Sequence, residues 1–235
     1  MQKIVVLSGA GISAESGVST FRNSGGLWEN HRIEDVATPE AWELKKDLVL
    51  NFYNQRRKQL YEVEPNNGHR ALVKLEEKFD VQIITQNVDD LHERAGSSNV
   101  LHLHGELKKV RSTIDSNLIY QLKGWELKIG DKCSKGSQLR PHIVWFGEEV
   151  PNILTASKII QSADCLIVVG TSLNVYPAAG LIHELKSQSP IYLVDPDDVN
   201  TGLGNRVKTI RANAVDGLTR LVEELLGNNK KRTLT

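Results

Sequence analysis

A chain of 235 residues with 40% hydrophobic and 25% charged side chains has a globular composition and enough length for a substantial core, which excludes a disordered or fibrous protein. Its 29 basic and 29 acidic residues cancel, so the composition offers no nucleic-acid groove, and no apolar run nears the ~20 residues of a membrane span. Two cysteines, Cys133 and Cys165, are too few for a disulfide framework, and the expectation is a cytoplasmic protein.

The first apolar run, Ile4–Leu7, is too short for the core of a signal peptide and leads straight into glycines. It reads as a buried strand, as do Val81–Ile84, Val100–Leu103, Leu166–Val169 and Ile191–Val194. Helical patterns lie between these runs at Ala71–Phe79, Leu154–Ser162, Ala178–Ser187 and Gly217–Leu226. This alternation predicts an α/β fold, a Rossmann-like parallel sheet with helices on both faces. Such sheets bind ligands beyond the carboxyl ends of their strands. Two segments break the alternation. Residues 29–68 hold a predicted helix, Asp47–Tyr61, entered after Thr38-Pro39-Glu40, and residues 109–140 are polar and rich in turn residues. They predict a smaller lobe built from two inserts, beside a large lobe of residues 1–28, 69–108 and 141–226. The tail, 227–235, with Lys230-Lys231-Arg232, reads as frayed and solvated.

After the first strand, Ser8-Gly9-Ala10-Gly11-Ile12-Ser13-Ala14 fits G-x-G-x-x-G/A. Glycines there allow a tight turn and a close approach of backbone to a pyrophosphate, with free N–H groups at the following helix start. A purely structural turn is the alternative. The acidic partner expected about 20 residues on is misplaced, because Glu29 and Glu34 do not end a second strand. That pattern suits a dinucleotide better than it suits a dehydrogenase.

The run continues as Glu15-Ser16-Gly17-Val18-Ser19-Thr20-Phe21-Arg22, and Gly9–Arg22 as a whole resembles the G-A-G-x-S-x-x-S-G-x-x-x-F-R signature of the sirtuins, NAD-dependent protein lysine deacylases. Thr85-Gln86-Asn87-Val88-Asp89 resembles the family's T-Q-N-[IV]-D, and His104-Gly105 its H-G. Arg140-Pro141-His142-Ile143-Val144-Trp145-Phe146-Gly147-Glu148 resembles R-P-x-[IV]-V-x-F-G-E. Gly170-Thr171-Ser172 with Val175-Tyr176-Pro177-Ala178 resembles G-T-S-x-x-V-x-P-A. The motifs keep the family's order from Lys3 to about Leu226.

The resemblance implies cleavage of NAD at the nicotinamide–ribose bond, capture of the ribose carbon by an acyl-lysine oxygen, and release of nicotinamide, lysine and O-acyl-ADP-ribose. It implies His104 as general base, a role suited to an imidazole that titrates near neutral pH. His102 lies two residues earlier on the same side of its strand, and a metal-binding pair is the alternative there. By resemblance Asn87 and Asp89 form the nicotinamide pocket, with Gln86 on the ribose side. Gly9, Ala10, Gly11, Ser13, Ala14, Phe21, Arg22 and Trp28 would hold the cofactor from the glycine turn. Phe21 would shield the ribose and Arg22 would orient the phosphates. Gly170, Thr171, Ser172, Asp195 and Ala214 would hold its adenosine half. The family usually has Asn at the position of Asp195, and an aspartate can accept but not donate.

Tyr53 and Arg56, spaced i, i+3 on the predicted helix, resemble the Y-x-x-R pair of sirtuins that prefer succinyl and malonyl groups. A guanidinium grips a carboxylate bidentately while a phenol adds a hydrogen bond. Ala37 would leave room for the acyl chain. The plain alternative is a basic helix surface, Arg56-Arg57-Lys58. Val144, Phe146 and Gly147 are expected to bind substrate, and the region after Val144–Glu148 is expected to take the peptide by strand addition between the lobes. Most sirtuins hold a structural zinc with four cysteines, which this chain lacks. Arg111-Ser112-Thr113 stands where the first pair would fall, and Cys133 is alone at the second. No metal is expected, and a strand-like alternation of Trp125, Leu127 and Ile129 is expected to supply a small core instead. The expected partners are acyl-lysine proteins or peptides, with no nucleic acid or membrane, bound by a monomer. An ADP-ribosyltransferase or NAD glycohydrolase on the same scaffold, or a non-catalytic NAD-binding module, would be the other readings.

Overall fold

The computed structural model describes residues 1–18, 27–28 and 31–232. The chain opens with β1 (Lys3–Ser8) and the single turn α1 (Gly11–Ala14), then β2 (Leu27–Trp28), β3 (His31–Arg32), α2 (Ile33–Val36), α3 (Pro39–Leu44) and α4 (Lys46–Leu60). Next come α5 (Asn67–Leu75), β4 (Asp80–Thr85), α6 (Leu91–Ala95) and β5 (Val100–His102). Strands β6 (Gly105–Ser112), β7 (Ile119–Gln121) and β8 (Leu139–Ile143) precede α7 (Ile153–Gln161) and β9 (Cys165–Val169). A 3-10 segment (Ala178–Glu184), β10 (Ile191–Val194), a short 3-10 turn (Gly204–Arg206), β11 (Val207–Ile210) and α8 (Ala214–Arg232) complete it.

Six strands form one parallel sheet in the order β11-β10-β9-β1-β4-β5. Its central strands are apolar at nearly every position because both faces are covered. Alternate residues of β1 face opposite cores. Ile4 and Val6 pack with Ile83, Ile167, Leu72 of α5 and Leu218 of α8. Val5 and Leu7 pack with Ile84, Leu166, Val168, Ile160 of α7 and Leu181. Each such fully buried aliphatic side chain stabilises by roughly 1.5–3 kcal/mol.

A second body of structure takes in the inserts together with flanking residues of β6 and β8 and Trp145. Strands β7-β6-β8 are antiparallel. Trp42, Val49, Phe52 and Tyr53 from α3 and α4 share a third core with Leu107, Val110, Leu127, Ile143 and Trp145.

Four local expectations need correction. The edge strand β11 goes unforeseen because Val207-Lys208-Thr209-Ile210 is half polar and only partly buried. Residues from Ala178 wind as a 3-10 segment rather than an α-helix. The last helix runs on to Arg232, into the segment that reads as a tail. Residues 125–129 form no strand, and Ile129 is 54% exposed. Their backbone is satisfied by side chains of α4 instead. Asn54 donates to the Leu127 carbonyl (3.0 Å) and accepts from its N–H (2.9 Å), while Arg57 Nε donates to the Trp125 carbonyl (2.8 Å).

Beneath the end of β1, the rings of His69 and His92 meet edge to face at 5.0 Å, and His92 Nε2 lies 2.9 Å from Ser8 Oγ. Burial lowers the pKa of His69 to about 4 and pushes that of His92 well below its ordinary value. The unfolded chain therefore binds more protons between pH 6.5 and about 4. Stability is complete above that window and drains as pH falls through it, by of order 3 kcal/mol for His69 alone. Thermal melts from pH 7.5 to 4.5 are expected to show this loss, with a shallower slope in His69→Gln.

Candidate active site

The chain reverses its strand order at β1, which has β4 and β5 on one side and β9, β10 and β11 on the other. Beyond the carboxyl ends at this switch point opens a cleft of about 1500 Å³. Its walls include Gly9, Ala10, Gly11, Ala14, Gln86, Asn87, Asp89, His104, Thr171, Ser172, Asp195 and Ala214, and, on the insert side, Tyr53, Arg56, Val144, Phe146 and Gly147. Apart from Ser13, which sits buried just behind that wall, the sequence-derived site residues within the described part of the chain converge on one space. Phe21 and Arg22 lie outside the described residues, as does the side chain of Trp28.

Several donors of the glycine turn are used within the protein. Gly9 N–H donates to the Val169 carbonyl (3.0 Å) and Gly11 N–H to that of Gly170 (2.8 Å), while the N–H groups of Ile12 and Ser13 bond back to Gly9 and Ala10. These donors hold the turn together rather than standing free, and α1 is a single turn of four residues. The close approach that glycine permits is to backbone. A Cβ on Gly11 would stand 2.6 Å from Gly170 Cα, and one on Gly170 would stand 2.5 Å from Ile12 N. Gly170 also has φ +63°, which glycine alone adopts without strain.

The loop after β4 carries a directed chain of hydrogen bonds. Asn87 Nδ2 donates to Ser13 Oγ (3.1 Å), whose hydroxyl donates to Asp89 Oδ2 (3.0 Å). Asp89 Oδ1 accepts from Leu91 N–H (3.2 Å). Burial raises the Asp89 pKa against these bonds. Gln86 Nε2 donates to Thr171 Oγ1 (3.1 Å), tying this loop to the one after β9. His104 Nδ1 lies 3.1 Å from the Gln86 carbonyl. A carbonyl only accepts, so Nδ1 bears the proton and Nε2 keeps its lone pair. Burial lowers the His104 pKa, the carbonyl only partly offsetting this, so the ring is neutral at pH 7. Asp195 ends β10, buried, its Oδ1 accepting from Asp197 N–H (3.0 Å).

On the insert side, Arg56 and Arg57 are buried, which overturns the reading of a basic helix surface. Tyr53 is fully buried, and its hydroxyl accepts from Trp145 Nε1 (3.0 Å). The role of Trp145 escaped the sequence reading, although the residue stands inside a quoted motif. Glu148 fixes Trp145, accepting from its N–H (2.8 Å) and pairing with Arg140 (2.7 Å), whose guanidinium stacks 3.3 Å over the indole. The N–H groups of Val144 and Phe146 already bond to the carbonyls of His104 and Ala37, and those of Trp145 and Glu148 bond within the loop.

A structural zinc does not fit these residues. Cys165 lies in the central sheet, where burial pushes its thiol up to about 12, and Cys133 sits in the insert beside the Ser112 hydroxyl, which lowers its pKa. Among the described residues no three His, Cys, Asp or Glu side chains come together. NAD does fit. Amide, carboxylate and hydroxyl groups face the cleft where ribose and carboxamide groups need both donors and acceptors, and the small Ala214 side chain leaves space in the wall.

A doubly wound sheet with a neutral imidazole and a buried amide–carboxylate pocket at its switch point defines a dinucleotide-site protein. The sequence pattern of the Sir2 family matches residues 9–177. The chain is 53% identical to an NAD-dependent protein deacylase of Bacteroides thetaiotaomicron over 231 residues, covering 96% of this chain and 99% of that one. It is also 53% identical to one of Helicobacter pylori strain J99, with 96% of each chain covered. Among solved structures, a mutant Sir2 homologue bound to ADP-ribose matches with TM-score 0.88 at 39% identity, covering 99% of this chain and 94% of that one. A Sir2 homologue–NAD complex matches with TM-score 0.86 at 39% identity over 96% of this chain and 90% of that one. The chain belongs to the Sir2 family.

Gly170→Ala should combine a left-handed φ with a backbone clash against Ile12. We expect a loss of at least about 2 kcal/mol in denaturant titrations, and weaker ADP-ribose binding by calorimetry.

Proposed function

We propose that the cleft removes acyl groups from protein lysine at the expense of NAD, and that Tyr53 and Arg56 make it accept succinyl and malonyl as well as acetyl groups. As a Sir2-family member the chain is an NAD-dependent deacylase. When bound, NAD supplies the ribose carbon whose bond to nicotinamide breaks and to which the acyl oxygen transfers. The observation that carries the reading is the His104 ring, neutral and with its Nε2 lone pair available beside Asn87 and Asp89. It serves as general base toward a ribose hydroxyl. Asn87 and Asp89 bind the carboxamide of nicotinamide. Gln86, Thr171, Ser172, Asp195 and Ala214 hold the rest of NAD, with Gly9, Ala10, Gly11, Ser13 and Ala14 shaping the turn and Phe21, Arg22 and Trp28 completing the site.

Tyr53 and Arg56 support the acidic-acyl reading by their burial in the cleft wall. The Tyr53 hydroxyl accepts the indole proton of Trp145, so its own proton is directed to another acceptor, and burial keeps the phenol protonated. Ala37, also buried in that wall, leaves width for the acyl chain. Val144, Phe146 and Gly147 bound the peptide side.

The large lobe (1–28, 69–108, 141–226) and the small lobe (29–68, 109–140) enclose the substrates between them in this reading. The small lobe holds together without zinc. Arg57, which burial lowers to about 10, donates to the carbonyls of Trp125 and Leu107 and to Asn54, and Asn54 brackets Leu127. The substrates are acyl-lysine proteins, met by a cytoplasmic monomer; no described helix is long and apolar enough to cross a membrane.

Turnover of matched acetyl-lysine and succinyl-lysine peptides tests the reading. His104→Ala should lower NAD-dependent release of both by about 10²–10⁴-fold. Arg56→Met should lower kcat/KM for succinyl by roughly 10- to 100-fold, the worth of a charge-assisted pair, and spare acetyl. NAD consumption without free lysine would point to a transferase or glycohydrolase. Elemental analysis should find no stoichiometric zinc, and a chelator should leave the melting temperature unchanged. In the same melts Asn54→Ala should cost about 1–3 kcal/mol.

A further inference from the structure

Two histidines at the end of β5 reach the loop after β4 from the same side. His104 holds the Gln86 carbonyl, and His102 Nδ1 lies 2.9 Å from the next carbonyl, that of Asn87. The other nitrogen of His102 lies 2.7 Å from Glu93 Oε1 on α6. A carbonyl and a carboxylate can only accept. A neutral imidazole has one N–H and one lone pair, so it would satisfy one partner and turn its lone pair on the other. An imidazolium satisfies both. The same arithmetic removes the metal-pair alternative, since neither nitrogen has a lone pair to give.

We propose that His102 is a positioning residue that works as a buried imidazolium, clamping the Asn87 peptide from beneath while His104 next to it works neutral. Asn87 is then held at both ends, its carbonyl by His102 and its amide by Ser13. The Ser13 hydroxyl passes this constraint to Asp89. Deprotonation of His102 leaves either the Asn87 carbonyl or the Glu93 carboxylate facing a lone pair, and the pocket loses its fixed geometry. The reaction accordingly needs one ring without its extra proton and the other with it, which gives activity an acid limb from His104 and an alkaline limb from His102.

The charged groups around His102 agree with this assignment. Burial opposes the charge, but the hydrogen bond and charge of Glu93, the Asn87 carbonyl and Glu106 of β6 together raise the His102 pKa above its ordinary value. Glu93 is in turn held below its usual range by His102, with Lys109 of β6 helping, although burial works against it. Lys109 also pairs with Glu106 (2.6 Å). On the loop, the His102 charge offsets part of the burial that raises Asp89. On α6, His92 is kept neutral by burial and by His69 and His102. From the α7 side, Asn152 Nδ2 reaches only the His102 carbonyl (2.8 Å).

The inference rests on the roles given to Asn87 and His104 above, and two measurements separate the two. The first is ring-nitrogen NMR of the intact protein at pH 7. Two protonated nitrogens on His102 beside one on His104 are expected, and a singly protonated His102 would overturn the proposal. The second is the pH profile of kcat on an acetyl-lysine peptide for Glu93→Gln, a half-exposed position that tolerates the change. The alkaline limb should move about 1–3 pH units toward acid, closing on the acid limb of His104 and lowering the maximal kcat. An unmoved limb would overturn the clamp. Full activity in His104→Ala would instead overturn the deacylase site itself, and the NMR result would still decide the charge of His102.

Discussion

The site exists because two pieces of backbone touch. The turn after β1 and the turn after β9 meet where the strand order reverses, Gly11 donating to Gly170 with no side chain between them. That contact closes the floor of the cleft and fixes the distance between the loop of Gln86 to Asp89 on one side and Thr171 to Asp195 on the other. Parallel pairing of β1 with both β4 and β9 delivers all three loops to the same edge. The glycines are therefore spent on protein–protein backbone packing. The space left for a ligand is what that packing does not fill.

Helix α4 follows a different physical logic. A helix at a lobe surface would show its cations to water, but this one buries Arg56, Arg57 and Asn54 along with Phe52 and Tyr53. Arg57 and Asn54 satisfy the backbone of a segment about seventy residues on, in the place where a sheet ladder would otherwise organise an irregular insert. Buried guanidinium is costly unless its donors are used, and here carbonyls take them. The same helix then presents Tyr53, locked by Trp145, to the cleft. Packing groups and groups of the cleft wall thus share one helix in successive positions.

What the sequence made legible follows from what it encodes locally. Runs such as Val81–Ile84 and Leu166–Val169 announce buried parallel strands because burial on both faces leaves no polar position. The polar ends of those strands announce the site, since a parallel sheet brings such ends together. Partners supplied from far along the chain were not legible. The alternation at Trp125, Leu127 and Ile129 imitated a strand, yet the hydrogen bonds of Leu127 go to an asparagine side chain on α4. Two of the donors expected to stand free at the glycine turn, the N–H groups of Gly9 and Gly11, are claimed by the end of β9 and by Gly170 after it, more than 150 residues later. β11 escaped because an edge strand with one solvated face carries no continuous apolar run.

The histidines show how far local chemistry is set by single contacts. His69, His92, His104 and His142 all lie in surroundings whose desolvation drives the imidazole neutral. His102 is as enclosed as His104 and lies on the same strand end, but its pKa moves the other way. Depth in the fold cannot distinguish them. The second ring nitrogen can, because that of His102 meets Glu93. Strand periodicity brings both rings to one loop, and a carboxylate from a helix of five residues assigns them opposite charge. Base strength in this cleft therefore depends on which acceptor each ring meets, and burial amplifies the difference by raising the cost of every mismatch.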